Sequence, residues 1–274
     1  MNSELEEIKK KLEELKAQHI LVPKMSMIKT KEQIDGIREA GLINTGILDT
    51  VSLQIHAGMS TEEINTIVHN YTISHNAIPA PLNYEGFPKS VCTSINDVVC
   101  HGIPSKKEIL KEGDIINVDV TTIYKGYYAD ASRMFIIGKA KPIAEKLVRV
   151  TKEMLDECVK SIIPWKSHLG DIGEICTRIA RRNGFSVVEN IGGHGVGLDF
   201  HEDPYVSHVA KAHTGVLLVP GMVFTIEPMV NEGRSGVYQD LFDGWTVRTI
   251  DHKLSAQWEY TIAVKEDGIE ILTH

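Results

Sequence analysis

The chain has 274 residues and a mass of 30.5 kDa, enough for one large domain or two modest ones. Hydrophobic residues make up 42 % and charged residues 24 %, which excludes a disordered chain, a fibrous repeat and a disulfide-rich mini-protein. The net charge of −8 argues against a dedicated nucleic-acid binder. The four cysteines form no Cys-x-x-Cys pair, and the chain has neither an apolar signal segment nor a membrane-spanning run. We therefore expect a cytoplasmic protein that does not enter a membrane.

Residues 1–24 differ in composition from the rest of the chain, since they contain five glutamates and five lysines. Leu5, Ile8, Leu12 and Leu15 recur at spacings of three and four, which predicts an amphipathic helix that precedes a single domain at 25–274. Three interpretations of this helix are open. It folds back on the body, which we favour, or it docks on a partner, or it forms a loose tail.

Helix pairs and groups of strands alternate along the remaining chain. The pattern predicts a helix over 31–56, a helix that begins at the Ser60–Glu63 capping box, and helices over 142–163 and 171–183, the last closed by Gly184. Short strands are predicted between Asn83 and Gly138 and again from Phe185 to the end. This order predicts an α+β fold with two similar halves.

The first chemical signal is a predicted hairpin around residues 124–127, whose sequence Tyr-Lys-Gly-Tyr is typical of a tight turn. A two-residue loop there places Asp119 opposite Ser132 and makes Asp130 its diagonal neighbour on the same face. Two carboxylates can then converge on one spot. The ordinary alternative is that Asp119 faces solvent on a half-exposed strand.

Three further residues have the chemistry of metal ligands. His194 lies in the glycine-rich stretch 191–197, where we expect the glycines to let the backbone bend and expose the imidazole. Glu227 closes one apolar strand, and Glu259 lies inside another. Taken alone, the histidine could be a turn residue and each glutamate a strand-end acid that reaches solvent.

Considered together, these residues predict a binuclear metal site. Four carboxylates cannot share a dry pocket as bare anions, and two divalent cations would balance their charge. Oxygen ligands with one imidazole suit Mn, Fe(II), Co or Zn, and two such ions about 3.5–4 Å apart are a recurring hydrolytic device. The predicted ligands are Asp119, Asp130, His194, Glu227 and Glu259.

Seven short motifs, in the same order along the chain, resemble those of type I methionine aminopeptidases, a metallopeptidase family with the pita-bread fold. The resemblance covers about residues 27–272. It implies an α+β pita-bread fold, in which two pseudo-symmetric halves share a central antiparallel sheet backed by helices. The motifs are Cys-His101-Gly-Ile-Pro, Asn-Val-Asp119-Val, Ala-Asp130-Ala-Ser, Gly-Gly-His194-Gly-Val-Gly, Phe-His201-Glu-Asp-Pro, Thr-Ile-Glu227-Pro-Met and Gln-Trp-Glu259.

The resemblance implies a role for each of the five ligands. Asp119 would bind one ion through both oxygens, and Asp130 and Glu259 would bridge the two ions. His194 and Glu227 would complete the shell of the other ion. Glu227 would also move a proton from the bridging water.

The resemblance also implies the residues that bind substrate. His101 would form a hydrogen bond near the scissile amide nitrogen, and His201 would stabilise the developing oxyanion. A methionine side chain would lie in a pocket of aromatic rings and a thiol, groups that suit a soft thioether. The pocket residues would be Tyr84, Phe87, Cys92, Phe200 and Trp245.

The implied activity is removal of the N-terminal methionine from nascent polypeptides with a small second residue. A hydroxide that bridges two divalent metal ions would attack the first peptide bond. We expect a monomer. Contact of residues 1–24 with the ribosome is a further hypothesis. No function is predicted for the polar stretch 231–243.

Two other interpretations remain open at this point. The first is a proline-specific peptidase of the same fold, although 274 residues leave little room for the extra N-terminal domain that such enzymes usually carry. The second is a catalytically silent relative that binds peptides or ribosomes. This second interpretation is less favoured, because all five ligands and both accessory histidines, His101 and His201, are present, whereas inactive relatives tend to lose ligands.

Overall fold

The computed structural model describes residues 3–274, so the first two residues of the predicted N-terminal segment lie outside the described range. Within that range the chain forms two short 3-10 helices, Met25–Met27 and Tyr84–Gly86, and five α-helices. The α-helices are α1 Ser3–Ala17, α2 Lys31–Gln54, α3 Thr61–Ser74, α4 Pro142–Ser161 and α5 Leu169–Asn183. None of these helices combines the length and apolar character needed to cross a membrane.

Fifteen strands are described in the same range. The strands are β1 Ile78–Pro79, β2 Cys92–Ile95, β3 Val98–Cys100, β4 Ile115–Tyr124, β5 Tyr127–Ile136, β6 Ser186–Val187, β7 Gly193–Gly195, β8 Glu202–Val206, β9 Val223–Ile226, β10 Met229–Asn231, β11 Val237–Gln239, β12 Val247–Thr249, β13 Ser255–Gln257, β14 Glu259–Lys265 and β15 Gly268–Ile271.

Nine strands form one central antiparallel sheet in the order β1-β4-β5-β14-β9-β7-β8, with β2 beside β4 and β15 beside β14. Two small sheets, β13-β10-β6 and β11-β12-β3, complete the β-structure of the described chain. Apolar side chains of α2 and α3 pack on β4 and β5, whereas those of α4 and α5 pack toward β9 and β14. Each helix pair thus covers one half of the sheet, as the alternating order of elements predicts.

Most local predictions are confirmed. The hairpin has the expected register, with Asp119 opposite Ser132. The Ser60–Glu63 capping box is present, and Gly184 ends α5. Two helices end two residues earlier than predicted, at Gln54 and Ser161. α5 begins two residues earlier than predicted because Asp171 lies inside its first turn, where its carboxylate accepts a hydrogen bond from the His168 backbone N–H at 2.8 Å.

The glycines around His194 lie in a short, irregular strand rather than in an open loop. The register of β7 against β8 shifts between His194 and Gly195, so the backbone is irregular there, and the His194 side chain remains 15 % exposed, as expected. A Cβ atom on Gly193 would lie 2.4 Å from the Thr225 carbonyl oxygen, and one on Gly195 would lie 2.1 Å from the Asp203 carbonyl oxygen. The glycines are therefore needed for close approach of neighbouring backbone, which seats the short strand in the sheet.

The N-terminal helix α1 packs on the body of the protein. Ile8 and Leu12 are buried in the same core cluster as α4 and α5, and Leu5 and Leu15 pack against it. The Lys11 ammonium lies 3.7 Å from the centre of the Trp165 ring, in a cation–π contact. The helix is therefore folded back, which is the first of the three interpretations.

Two lysines, one on either side of the first 3-10 helix, form ion pairs with strand β8. The two ion pairs differ greatly in their exposure to solvent. Lys29 forms an ion pair with Glu202, and their side chains are 1 % and 16 % exposed. Lys24 forms an ion pair with Asp203 at 3.0 Å, but those side chains are 72 % and 59 % exposed. The second oxygen of Glu202 accepts backbone N–H groups from Leu198 and Asp199, so this carboxylate orders the segment that leads into β8.

Substitution of the two lysines should show that the buried ion pair contributes more to the free energy of unfolding than the exposed one. Lys29→Met leaves Glu202 without its cation in a poorly hydrated position, and we expect a loss of about 3 kcal/mol in the free energy of unfolding. Lys24→Met should cost less than about 1 kcal/mol. Urea unfolding monitored by circular dichroism measures both. Equal losses in the two variants would contradict this assignment.

Candidate metal centre

Five neighbouring strands each bring one predicted ligand to the same face of the central sheet. In the strand order β4-β5-β14-β9-β7, these ligands are Asp119, Asp130, Glu259, Glu227 just after β9, and His194. The register aligns Asp119, Ser132 and Glu259 across three strands. Because side chains alternate along a strand, residues two apart share a face, and Asp130 therefore joins this row.

The ligand atoms converge closely. One oxygen from Asp130, one from Glu259 and a ring nitrogen of His194 all lie within 4.8 Å of one another. His194 Nε2 lies 3.8 Å from Asp130 Oδ2 and 3.7 Å from Glu227 Oε1. Asp119 lines the same cavity. The structure thus brings together all five residues that the sequence predicts as ligands.

The orientation of His194 shows which chemical group fits between these side chains. Its Nδ1 lies 3.0 Å from the Gly195 carbonyl oxygen, which can only accept a hydrogen bond, so Nδ1 carries the hydrogen. Nε2 of the neutral ring therefore turns a lone pair toward carboxylate oxygens. Acceptors that face one another repel unless a proton or a cation lies between them. This set of oxygen and imidazole donors fits divalent Mn, Fe, Co or Zn.

Burial also changes the proton affinity of these groups. Burial raises the pKa of Asp119 to about 7 and the pKa of Glu227 to about 8. The pKa values of Asp130 and Glu259 are raised as well, first by burial and then by the neighbouring carboxylates. Burial lowers the pKa of His194 to about 4, so at neutral pH its imidazole is uncharged and free to coordinate an ion.

Hydrogen bonds hold the carboxylates in place from behind. Thr121 Oγ1 donates to Asp130 at 2.9 Å, and Thr225 Oγ1 donates to Glu227 at 2.7 Å. Gln257 Nε2 donates to the other oxygen of Glu227 at 3.0 Å. These contacts fix the directions of the Asp130 and Glu227 carboxylates, which is the usual role of residues behind a metal ligand.

None of these supporting residues was predicted from the sequence, although a signal was available for Thr225. Thr225 lies two residues before Glu227, to which it donates, whereas Thr121 and Gln257 donate to carboxylates that are distant in sequence, Asp130 and Glu227. A polar side chain two positions from a buried carboxylate shares its face of the sheet and is a natural hydrogen-bond partner. His208 gave no such signal. It is buried, and its Nε2 accepts the Glu227 backbone N–H at 3.1 Å.

An aromatic recess adjoins the carboxylates. Phe87 and Trp245 meet edge to face with ring centres 5.2 Å apart, and Tyr84 lies 4.7 Å from Phe200. Burial raises the pKa of the Cys92 thiol well above its usual value. This residue therefore lines the recess as an uncharged thiol and is not activated as a nucleophile. One cavity of about 530 Å³ includes every predicted site residue, namely Tyr84, Phe87, Cys92, His101, Asp119, Asp130, His194, Phe200, His201, Glu227, Trp245 and Glu259.

Two neutral histidines lie at the boundary between the recess and the carboxylates. Burial lowers the pKa of His101 to about 4 and also lowers that of His201. His201 stacks on Phe200 at 4.3 Å, and its Nδ1 lies 3.0 Å from the Tyr84 hydroxyl. Burial raises the pKa of Tyr84, so the hydroxyl keeps its proton. When it donates that proton to Nδ1, the Nε2–H of His201 is available as a donor.

A sheet face with converging carboxylates and an imidazole is typical of metal-dependent hydrolases. Residues 35–266 match the model of Metallopeptidase family M24. The chain is 50 % identical to methionine aminopeptidase A from Synechocystis sp. in an alignment of 245 residues. This alignment covers 89 % of this chain and 96 % of that protein. The structure matches the crystal structure of methionine aminopeptidase from Rickettsia prowazekii with a TM-score of 0.88 at 44 % identity, over 90 % of this chain and 99 % of that one. The chain belongs to metallopeptidase family M24 and, within it, to the methionine aminopeptidases.

The proline-specific interpretation has less support. The prolidase from Pyrococcus horikoshii shares the fold at a TM-score of 0.72, but its identity is 23 % and this chain spans 64 % of its length. That likeness shows the fold alone. The predicted pita-bread fold is confirmed by these comparisons, as is the resemblance from which it was inferred.

Removal of metal ions should make the stability of the folded protein depend on protons at the carboxyl groups. The folded-state pKa values of Asp119 (about 7) and Glu227 (about 8) exceed their ordinary values, so the stripped folded state binds more protons than the unfolded chain. We expect its melting temperature to rise as the pH falls from about 8.5 to about 6.5. Below about pH 6.5 the buried histidines oppose this gain, because their lowered pKa values favour protonation of the unfolded chain.

Scanning calorimetry of EDTA-treated protein measures this dependence. The double variant Asp119→Asn with Glu227→Gln removes two of the titrating groups and should flatten the profile over the same interval. A melting temperature of the stripped wild type that falls between about pH 8.5 and about pH 6.5 would contradict the assignment of raised pKa values.

Proposed function

We propose that this protein removes the N-terminal methionine from peptides and nascent proteins with a small second residue, by a hydrolysis that requires two divalent metal ions. The observation that carries the proposal is the convergence of five ligand-type side chains, from five adjacent strands, beside an aromatic recess in one cavity. The recess suits an apolar thioether, and the carboxylates suit metal ions.

Each predicted ligand has a place in this proposal. Asp119 would hold one ion, Asp130 and Glu259 would lie between the two ions, and His194 with Glu227 would complete the second site. When bound, the ions would polarise the scissile carbonyl and lower the pKa of water. The bare Nε2 of His194 and its distances of 3.7 and 3.8 Å to carboxylate oxygens support this assignment.

The aromatic recess would select the substrate side chain. Tyr84, Phe87, Phe200 and Trp245 present ring faces and edges, and Cys92 adds a neutral sulfur. A linear methionine side chain fills such an irregular apolar space and gains contacts between its sulfur and the rings. Recognition would therefore rest on shape and polarisability rather than on a charged partner.

Three residues would handle protons and charge during hydrolysis. His201 would donate its Nε2–H to the oxygen that becomes negatively charged, and His101 would lie near the amide nitrogen. Glu227 would accept a proton at a carboxylate oxygen and return it to the leaving amine. The hydrogen bonds from Thr225 and Gln257 would hold that carboxylate in position.

We also propose that residues 25–274 form the catalytic domain and that residues 1–24 are an extension. The family match begins at residue 35 and thus lies within the proposed domain. The apolar contacts of α1 give the extension a packing role. A cytoplasmic location is part of the same proposal, since nascent chains are the proposed substrate.

Substitution of a central ligand tests the activity. EDTA-stripped protein should release methionine from a Met-Ala-Ser peptide only after addition of Mn, Fe(II) or Co. Asp130→Asn should lower the rate by about 100-fold or more, because an amide is a poorer ligand than a carboxylate. The surface variant Asp156→Asn is the control and should match wild type. Free methionine is measured by chromatography.

A Leu-Pro peptide serves as the competing substrate in the same experiment. Cleavage of that peptide alone would move the assignment to a proline-specific peptidase. Cleavage of neither peptide with any of the metals would favour the silent relative.

Substitution of His201 separates catalysis from metal binding. His201→Ala removes a donor to the developing negative charge, and we expect kcat to fall by about 100-fold. The metal content should stay at the wild-type value, since the proposed ligand set excludes His201. Steady-state kinetics and atomic absorption on the same sample measure the two quantities. A parallel loss of metal and activity would place His201 among the ligands instead.

A further inference from the structure

A second group of ligand-type side chains lies outside the cavity, at the start of α5. His168 immediately precedes the helix, Asp171 lies in its first turn, and His213 belongs to the loop that leads toward Leu217. One possible ligand atom from each residue lies within 4.8 Å of the other two. None of the three residues lines the cavity that contains the sheet carboxylates.

The distance between His213 and Asp171 suits a shared metal ion better than a direct hydrogen bond. His213 Nδ1 lies 3.5 Å from Asp171 Oδ1. A good N–H···O bond is shorter, about 2.7–3.2 Å. Two ligands that each lie about 2.0–2.1 Å from a tetrahedral zinc ion are separated by about 3.4 Å. The observed spacing is therefore close to one edge of such a tetrahedron.

His168 supplies an independent observation. Its Nδ1 is buried and has no hydrogen-bond partner among the described residues, because the nearby Asp171 backbone N–H donates to the His168 carbonyl oxygen at 3.0 Å instead. A buried polar atom without a partner costs free energy, and few such atoms occur in folded proteins. Coordination of an ion through this nitrogen would satisfy it and would leave Nε2 to carry the ring hydrogen.

The backbone around the three side chains is already held in place. The Asp171 carboxylate accepts the His168 N–H at 2.8 Å and the His213 N–H at 2.7 Å. The Gly170 N–H donates to the Thr214 carbonyl at 2.8 Å. A Cβ on Gly170 would lie 2.3 Å from the Lys211 carbonyl oxygen, so the loop approaches the helix as closely as only glycine permits. Such a frame keeps the ligands near one another before any ion binds.

The charge and ligand types restrict the class of ion. The N-terminus of α5 carries a partial positive charge that disfavours a cation, and the Asp171 carboxylate offsets it. Two imidazoles with one carboxylate prefer Zn, Ni or Cu to the hard ions Mg and Ca.

We propose that His168, Asp171 and His213 bind one zinc-class ion, separate from the ions of the sheet site. The ion would link the loop at 210–217 to the start of α5 and would add to the stability of the folded state in proportion to its occupancy. This site does not depend on the proposed peptidase activity.

Zinc stoichiometry on the full chain tests the proposal. EDTA-stripped wild type, His213→Ala and the control His56→Ala are titrated with Zn²⁺ against a chromophoric chelator. The His213 side chain is 83 % exposed, so its removal leaves the core intact. We expect His213→Ala to bind one equivalent fewer than wild type, whereas His56→Ala, another exposed histidine, binds the full number.

Two further readouts make the result decisive. His168→Asn should lose the same equivalent, whereas Asp130→Asn, changed at the sheet site, should keep the equivalent that depends on His213. Zn²⁺ should raise the melting temperature of wild type more than that of His213→Ala, with no such difference in EDTA. Equal stoichiometry in wild type and His213→Ala, or the same loss in His56→Ala, would overturn the proposal.

Discussion

Four carboxyl groups and one imidazole, all buried or half-buried, converge on one face of a β-sheet, and this arrangement is unfavourable unless positive charge enters it. Burial raises the pKa of Asp119 to about 7 and that of Glu227 to about 8, which shows how strongly the site resists bare anions. The hydroxyl and amide donors behind the carboxylates supply hydrogen bonds but no charge. Divalent cations reduce the electrostatic repulsion among the carboxylates and also provide the chemistry of a hydrolase. The convergence of the carboxylates therefore explains both why the apo site is unfavourable and how the site can function.

The fold serves this site by joining two halves at one strand. β14 pairs with β5 on one side and with β9 on the other, so Glu259 lies between the ligands of the two halves. α2 and α3 support the first half, and α4 and α5 support the second. The site therefore assembles only when both halves pack against the shared strand, which makes its geometry a property of the whole sheet.

Local patterns in the sequence predicted much of this arrangement. A two-residue turn sets the register of β4 and β5, and the relation of Asp119 to Asp130 follows from it. The approach of His194 to Glu227 depends instead on the non-local pairing of β7 with β9, which the motifs indicated only through family resemblance. His168 and His213 meet through a loop that returns to α5 after some forty residues, and no local period in the sequence indicates that contact.

The need of these carboxyl groups for positive charge is tested most directly by the number of protons released when the stripped protein binds its metal ions. Titration calorimetry at about pH 7, repeated in buffers that differ in ionisation enthalpy, gives this number. Because the carboxyl groups hold protons when no cation is present, we expect release of about two or more protons per chain. Metal binding without proton release would show that the carboxylates are already ionised in the apo protein, and would contradict the raised pKa values on which this site depends.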